Sequence, residues 1–97
     1  MVIRQKYYQM FVRQMAVLQL VDEYKEQGYE VKEQYPIGRN LRADLYASKD
    51  GERVIIELTD KNTRLEQVNL ISQIAQLEGA QFRIINLSDT KIEEEEK

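Results

Sequence analysis

The chain has 97 residues, 42% hydrophobic and 32% charged, which suits one domain with a modest core. It contains no cysteine and no histidine, which excludes disulfides, thiolate zinc sites, Ser-His triads and metal sites ligated by imidazole. Any metal must therefore bind to oxygen ligands, which favours Mg²⁺, Mn²⁺ or Ca²⁺.

The formal net charge of −3 is unevenly distributed along the chain. Residues 89–97 hold five acidic and two basic side chains, which leaves 12 acidic and 12 basic residues in 1–88. This neutral body lacks the overall basic field of a strong nucleic-acid-binding protein. We expect a single domain over 1–90 and an acidic C-terminal tail over 91–97. No apolar run is long enough to span a bilayer and no signal-peptide pattern is visible, so we expect a soluble cytoplasmic protein with no membrane partner.

The first predicted element is a long helix over about residues 3–27. Apolar side chains recur at three- and four-residue spacing and predict its buried stripe: Tyr8, Phe11, Met15, Leu18 and Val21. Val12 and Leu20 widen that stripe, so we expect a well-buried helix, with core packing for Tyr7 and the other aromatic side chains. Gly28 predicts the end of the helix, because glycine readily adopts the left-handed conformation found there.

Three strands are predicted next, over about residues 29–34, 41–48 and 53–59. In the second, the residues Leu41, Ala43, Leu45 and Ala47 face one way, and Arg42, Asp44 and Tyr46 face the other. Lys49-Asp50-Gly51 is the strongest turn signal in the chain. A two-residue Asp50-Gly51 loop pairs Lys49 with Glu52, whereas a three-residue loop with a bulge shifts the pairing by one residue.

A second helix and a fourth strand complete the prediction. Thr63, followed three residues later by Glu66, predicts a capping box, and the helix runs to about residue 78, where Gly79 ends it. Residues 82–87 form an apolar run that predicts a buried strand. The order α-β-β-β-α-β predicts an α/β fold with a right-handed crossover and a mixed four-stranded sheet flanked by two helices.

Two carboxylates are expected to meet on the predicted hairpin. With the two-residue loop, Asp44 lies directly opposite Glu57, and Cβ atoms so placed are roughly 4.5–5.5 Å apart. Carboxylates this close require a bound cation, a shared proton or a basic neighbour. A divalent metal is the first alternative. The second is a surface salt-bridge cluster neutralised by Arg42, which lies on the same strand face as Asp44.

The order of elements and these residues resemble the PD-(D/E)XK, or restriction-endonuclease-like, nuclease superfamily. The matching segments are Gly28-Tyr29-Glu30-Val31, the Asp44 of Arg-Ala-Asp-Leu, and the Glu57 of Val-Ile-Ile-Glu-Leu-Thr. The resemblance covers almost the whole chain and implies a restriction-endonuclease-like αβββαβ core. The chain departs from the family pattern at Thr59, which occupies the position of the family's lysine.

The resemblance implies a small metal-dependent nuclease that acts on nucleic-acid phosphodiesters with Mg²⁺ or Mn²⁺. Asp44 and Glu57 would be catalytic metal ligands, with the carbonyl of Leu58 as a third ligand, and the metal would lower the pKa of the attacking water. Thr59 carries no positive charge. Lys61 lies on the same face if the strand continues, and is the candidate for a displaced catalytic lysine.

The resemblance also implies DNA or RNA as a partner. Three arginines flank the carboxylate pair in the sequence and are the candidates for nucleic-acid binding: Arg39, Arg42 and Arg64. Glu23 is a candidate for an outer acidic residue, and Gln67 or Gln73 is a candidate for a substrate contact. A homodimer is plausible because cutting both strands of a duplex takes two sites, and a larger nuclease partner is the alternative. Since the lysine is missing, a catalytically inactive relative that binds nucleic acid, or serves protein interaction and assembly, is the competing hypothesis.

Overall fold

A computed structural model of the chain describes residues 4–38 and 40–89. The elements in chain order are α1 (Gln5–Glu26), β1 (Glu30–Pro36), β2 (Arg42–Lys49), β3 (Glu52–Thr59), α2 (Leu65–Leu77), β4 (Gln81–Asn86) and a 3₁₀ turn (Leu87–Asp89). The predicted α/β class and order are confirmed, and each helix or strand ends within two residues of its predicted limits. Arg39 and the predicted acidic tail over 91–97 lie outside the described residues. Neither described helix has the length and apolar character needed to cross a membrane.

The four strands form one mixed sheet in the order β1-β2-β3-β4. The first three strands pair as an antiparallel meander, and β4 lies parallel to β3 after the α2 crossover. Five consecutive residues of β3, 54–58, are buried, because α1 covers one face of the sheet and α2 covers the other. The predicted mixed sheet flanked by two helices is therefore confirmed.

The β2–β3 hairpin turn has the predicted two-residue geometry. Lys49 pairs with Glu52, and the two loop residues have positive φ angles, 49° at Asp50 and 85° at Gly51. Two positive φ angles define the turn whose twist matches that of the flanking strands, and glycine adopts them without steric cost. The bulged three-residue loop does not form, and the register of the hairpin follows from this turn.

The burial predicted for α1 is confirmed for Leu20 and in part for Val21, but it is wrong for most of the stripe. Large apolar side chains of the predicted stripe are 44–55% exposed: Tyr8, Phe11, Met15 and Leu18. Tyr7, predicted to pack in the core, is 52% exposed. The side of α1 that meets the sheet carries buried Leu20 and Tyr24, with half-buried Val17 and Val21 against them. A period of 3.6 residues identifies an apolar face, but it does not tell which of two apolar faces of a helix packs on the sheet.

The burial predicted for β4 is also wrong, because β4 is an edge strand. Among the described strands it pairs only with β3, and Ile84 at its centre is 51% exposed. An apolar run of strand length does not by itself distinguish a central strand from an edge strand.

The alternation predicted for β2 fails at one position. Leu45 and Ala47 pack in the core on the α1 side, as expected for residues two apart. Ala43, predicted to share their face, instead belongs to the core on the α2 side, with Ile37 and Ile71. The strand therefore changes its facing at Asp44, which is where the candidate site lies.

Candidate functional site

The candidate site forms where β2 and β3 stop pairing through their backbones. The regular ladder ends at the pair of Leu45 and Ile56. Beyond it, the Asp44 backbone N–H donates to Glu57 Oε1 at 2.9 Å, and the Leu58 backbone N–H donates to Asp44 Oδ2 at 2.8 Å. The two predicted carboxylates are therefore brought together, and each is held by the backbone of the opposite strand.

Glu57 is the buried member of the pair, with 5% of its surface exposed. The pKa of its carboxyl is raised from 4.5 to about 7, chiefly by burial, and the charge of Asp44 acts in the same direction. The hydrogen bond from the Asp44 backbone and the charge of Arg13 act in the opposite direction. Glu57 therefore binds a proton over much of the range below neutral pH.

The cation at this site is Arg13 of α1, a residue that the sequence prediction missed. Its Nη1 lies 3.2 Å from Asp44 Oδ1, and its Nη2 donates to the Leu58 carbonyl oxygen at 3.0 Å. Nη2 also lies 3.9 Å from Asp60 Oδ2. The basic neighbour is therefore Arg13, and the assignment of this role to Arg42 is wrong.

A sequence signal for Arg13 does exist. It lies four residues before Val17 and seven before Leu20, so it shares the helix face that packs on the sheet. A charged residue on a buried helix face requires a partner of opposite charge. Because Asp44 is 31 residues away in sequence, the spacing alone does not identify it as that partner.

The site opens into a cleft of about 830 Å³ between the open end of the hairpin and the start of α2. Its charged lining residues are Arg13, Arg42, Asp44, Glu57, Asp60 and Arg64. Arg42 and Arg64 are exposed, and neither forms an ion pair within the described residues. The predicted contact residue Gln67 lines the cleft, whereas Glu23 and Gln73 lie outside its lining.

The structure does not place Lys61 in this cleft. The strand β3 ends at Thr59, so the condition for Lys61 to share the face of Glu57 is not met. Lys61 instead lines a separate pocket of about 250 Å³ together with Tyr8 and Leu87. Thr59 is half-buried and pairs with Asn86 of β4, and it does not line the cleft either.

A turn centred on Asp60 explains both the end of β3 and the failure of the predicted capping box. The Asp60 backbone N–H donates to Thr63 Oγ1 at 2.8 Å, and the Asn62 backbone N–H donates to Asp60 Oδ1 at 2.8 Å. The Thr63 hydroxyl is therefore occupied in this turn and does not cap α2. The helix α2 has Arg64 as its N-cap, without a side-chain cap in the described part of the chain.

Each of the predicted metal ligands is engaged by a donor of the protein itself. Asp44 Oδ1 and the Leu58 carbonyl both lie against the Arg13 guanidinium, while Asp44 Oδ2 and Glu57 Oε1 accept backbone N–H groups. Within residues 4–38 and 40–89 no group of three acidic side chains is arranged to hold a metal. As arranged, Asp44 Oδ1 and the Leu58 carbonyl oxygen are occupied by the guanidinium, so an octahedral Mg²⁺ or Mn²⁺ at these oxygens would have to displace Arg13.

Comparison with known proteins finds no family model and no curated relative that matches this chain. A functional assignment therefore depends on the resemblance of its residues and on the geometry of the cleft.

Proposed function

We propose that the chain is a restriction-endonuclease-like domain in which Arg13 replaces the catalytic metal, and that its cleft binds nucleic-acid phosphates without cutting them. The observation that supports this is the contact of one guanidinium with both Asp44 and the Leu58 carbonyl. These are two of the three ligands that the family resemblance assigns to the metal. A guanidinium is a permanent cation whose planar donors match carboxylate and carbonyl oxygens.

The proposed phosphate contacts are Arg42 and Arg64. Both are exposed, both line the cleft, and neither is neutralised by a carboxylate among the described residues. Arginine forks match the oxygens of a phosphate group, and backbone contacts of this kind carry no sequence information. Amide side chains that also line the cleft add neutral donors: Gln34, Asn40, Asn62 and Gln67. With a neutral body, we expect weak, salt-sensitive binding in the range of non-specific complexes, about 1–100 µM.

The test is binding of a fluorescent duplex oligonucleotide, measured by anisotropy over a series of salt concentrations without divalent metal. The double variant Arg42→Ala/Arg64→Ala should bind more weakly, and its slope of log affinity against log salt should fall by about 1.8, or 0.9 for each phosphate that is no longer neutralised. The matched control is Lys25→Ala/Lys32→Ala, which removes two exposed charges outside the cleft. An equal change of slope in both double variants would contradict the cleft as the binding site.

Metal-dependent cleavage of phosphodiesters is the second candidate function. It is favoured by the convergence of Asp44, Glu57 and the Leu58 carbonyl in one cleft. The test is a nuclease assay with Mg²⁺ or Mn²⁺ on DNA and RNA, using wild type and Glu57→Ala. Our first proposal expects no cleavage by either protein. Cleavage by wild type that disappears in Glu57→Ala would overturn it in favour of the second, and absence of both cleavage and binding would favour an assembly role.

The variant Arg13→Met separates the two candidates further, because it removes the guanidinium while keeping an apolar stem of similar length. If Arg13 substitutes for the metal, Mn²⁺ binding measured by electron paramagnetic resonance should be absent in wild type and gained in Arg13→Met. The Arg13→Met/Asp44→Asn double variant is the control, since it lacks the Asp44 charge and should not gain that binding. Mn²⁺ binding by wild type would contradict the substitution of the metal by Arg13.

A further inference from the structure

The outer face of α1 carries an apolar stripe whose side chains are about half exposed, and Tyr8 at its edge also lines the pocket that contains Lys61 and Leu87. This outer stripe consists of Tyr8, Phe11, Met15 and Leu18, which are 44%, 51%, 49% and 55% exposed. Spacings of three and four residues place these side chains on one helix face. Arg13 points away from this face and toward the sheet, so the outer stripe is separate from the cleft.

The outer stripe has a charge of opposite sign at each end. Arg4 lies four residues before Tyr8, and Asp22 lies four residues after Leu18. The spacing from Arg4 to Asp22 is therefore 4-3-4-3-4, which reads the same in both directions. Both charged residues are exposed, and neither forms an ion pair within the described part of the chain.

A face with this symmetry complements itself when two helices run antiparallel about a two-fold axis at the level of residue 13. Phe11 of each copy then meets Met15 of the other, and Tyr8 meets Leu18. Arg4 of each copy meets Asp22 of the other, which gives two ion pairs of correct sign. A parallel arrangement would set each charge against its own kind, so the charges select the antiparallel one.

The first turns of α1 are largely exposed. Of residues 5–11, only Gln9 is not exposed, although this segment includes Met10 at 66% exposure and three aromatic side chains. Exposed apolar patches of this kind mark interaction surfaces. With 150–250 Å² per large aromatic side chain, half-exposed side chains along the outer stripe offer roughly 400–500 Å² per copy. A pair would bury roughly 800–1,000 Å², which is below the area of stable specific interfaces and falls in the range of weak, transient complexes.

We infer that the outer stripe is a self-association surface, on which a second copy of this chain docks with its α1 antiparallel to the first. The association leaves the cleft open, because Arg13 and the cleft lie on the opposite side of α1. The inference does not depend on the proposed function.

Disulfide formation tests the antiparallel register directly, because the chain has no natural cysteine. A mixture of the Tyr8→Cys and Leu18→Cys proteins should form a mixed disulfide under mild oxidation. Tyr8→Cys alone should not, because the two copies of residue 8 would be about 15 Å apart along the helix axes. Gln76→Cys, an exposed position on α2, is the control and should not cross-link with either protein. Failure of the mixed disulfide to form, or dominant Tyr8→Cys self-pairing, would overturn the inference.

Charge reversal tests the same register without a covalent bond, with the dissociation constant measured by sedimentation equilibrium. Arg4→Asp and Asp22→Arg should each weaken association about tenfold, and the double variant should restore it to within about threefold of wild type. Both reversals place charge favourably on the helix dipole, so weaker association would not reflect a less stable helix. If the double variant does not associate more tightly than the single variants, the proposed register is wrong.

Truncation tests the apolar part of the surface. Phe11→Ala, at the centre of the outer stripe, should raise the dissociation constant at least tenfold. Leu77→Ala removes an apolar side chain that is 87% exposed on α2 and should leave the dissociation constant unchanged. Wild type that stays monomeric at millimolar concentration, or equal effects of the two truncations, would overturn the inference.

Discussion

The two ends of the β2–β3 hairpin are built in different ways. At the turn end, from Lys49 and Glu52 to Leu45 and Ile56, the strands pair residue by residue in a regular ladder. At the open end, the carboxylates of Asp44 and Glu57 accept the backbone N–H groups that a ladder would have paired. One end therefore depends on backbone geometry, and the other depends on the chemistry of two side chains.

This difference between the two ends bears on whether the carboxylate pair has a structural or a catalytic role. At the open end Asp44 satisfies the N–H of Leu58, which is 1% exposed, and a buried N–H without a partner is costly. Asp44 and Glu57 thus have a structural role at the open end, whether or not the chain performs chemistry. Their presence is therefore explained without cleavage.

The largest effect is expected from Asp44→Ala at the open end. This change removes the acceptor of the Leu58 N–H and leaves the Arg13 guanidinium without its carboxylate partner. We expect a loss of about 2–4 kcal/mol in the free energy of unfolding, measured by urea denaturation at neutral pH.

Glu33→Ala is the matched control for this substitution, since it removes an exposed carboxylate from β1. We expect a change within about 0.5 kcal/mol for such a surface residue. If the two alanine variants lose equal stability, the open end does not depend on its side chains, and the comparison of the two ends fails.

The next effect is a pH dependence due to Glu57. Its folded-state pKa of about 7 exceeds the ordinary 4.5, so between these values the folded state binds more protons than the unfolded state. The contribution of Glu57 to stability is therefore present below pH 4.5 and is lost as the pH rises toward 7. A shift of this size corresponds to roughly 3 kcal/mol.

The measurement is the free energy of unfolding of wild type minus that of Glu57→Gln, between pH 4 and pH 8. This difference should fall by that amount with rising pH, because glutamine does not titrate and keeps an oxygen for the Asp44 N–H. The same difference taken with Glu33→Gln should stay flat. A titration midpoint below pH 5 for the Glu57 carboxyl, measured by ¹³C NMR, would show that burial does not raise its pKa.

The sequence predicted those parts of the fold that depend on local signals. Asp50-Gly51 sets the hairpin register, and that register brings Asp44 next to Glu57. The order of elements predicted the crossover and the mixed sheet, because a helix between two strands allows their parallel pairing.

The predictions that proved wrong concern contacts between residues far apart in sequence, or a choice between two similar faces of one helix. Arg13 reaches Asp44 from another element, and no spacing rule links residues 31 apart. The helix α1 has two apolar faces, and only contact with the sheet decides which one is buried. The prediction for Lys61 required a longer β3, but the hydrogen bonds of Asp60 with Thr63 end that strand two residues earlier.

The smallest effect is expected at the turn end, from Gly51→Ala. A Cβ added to Gly51 meets no atom within 4 Å, so the cost is only that of a positive φ of 85° for an alanine. We expect a loss of about 1 kcal/mol in urea denaturation, with the reduced freedom of the unfolded chain offsetting part of the strain. Asp50→Gly is the complementary variant, because it relieves a non-glycine residue at φ 49° and should change stability by less than about 0.5 kcal/mol. A loss in Gly51→Ala as large as that in Asp44→Ala would mean that the turn, and not the carboxylate pair, determines whether these two strands stay together.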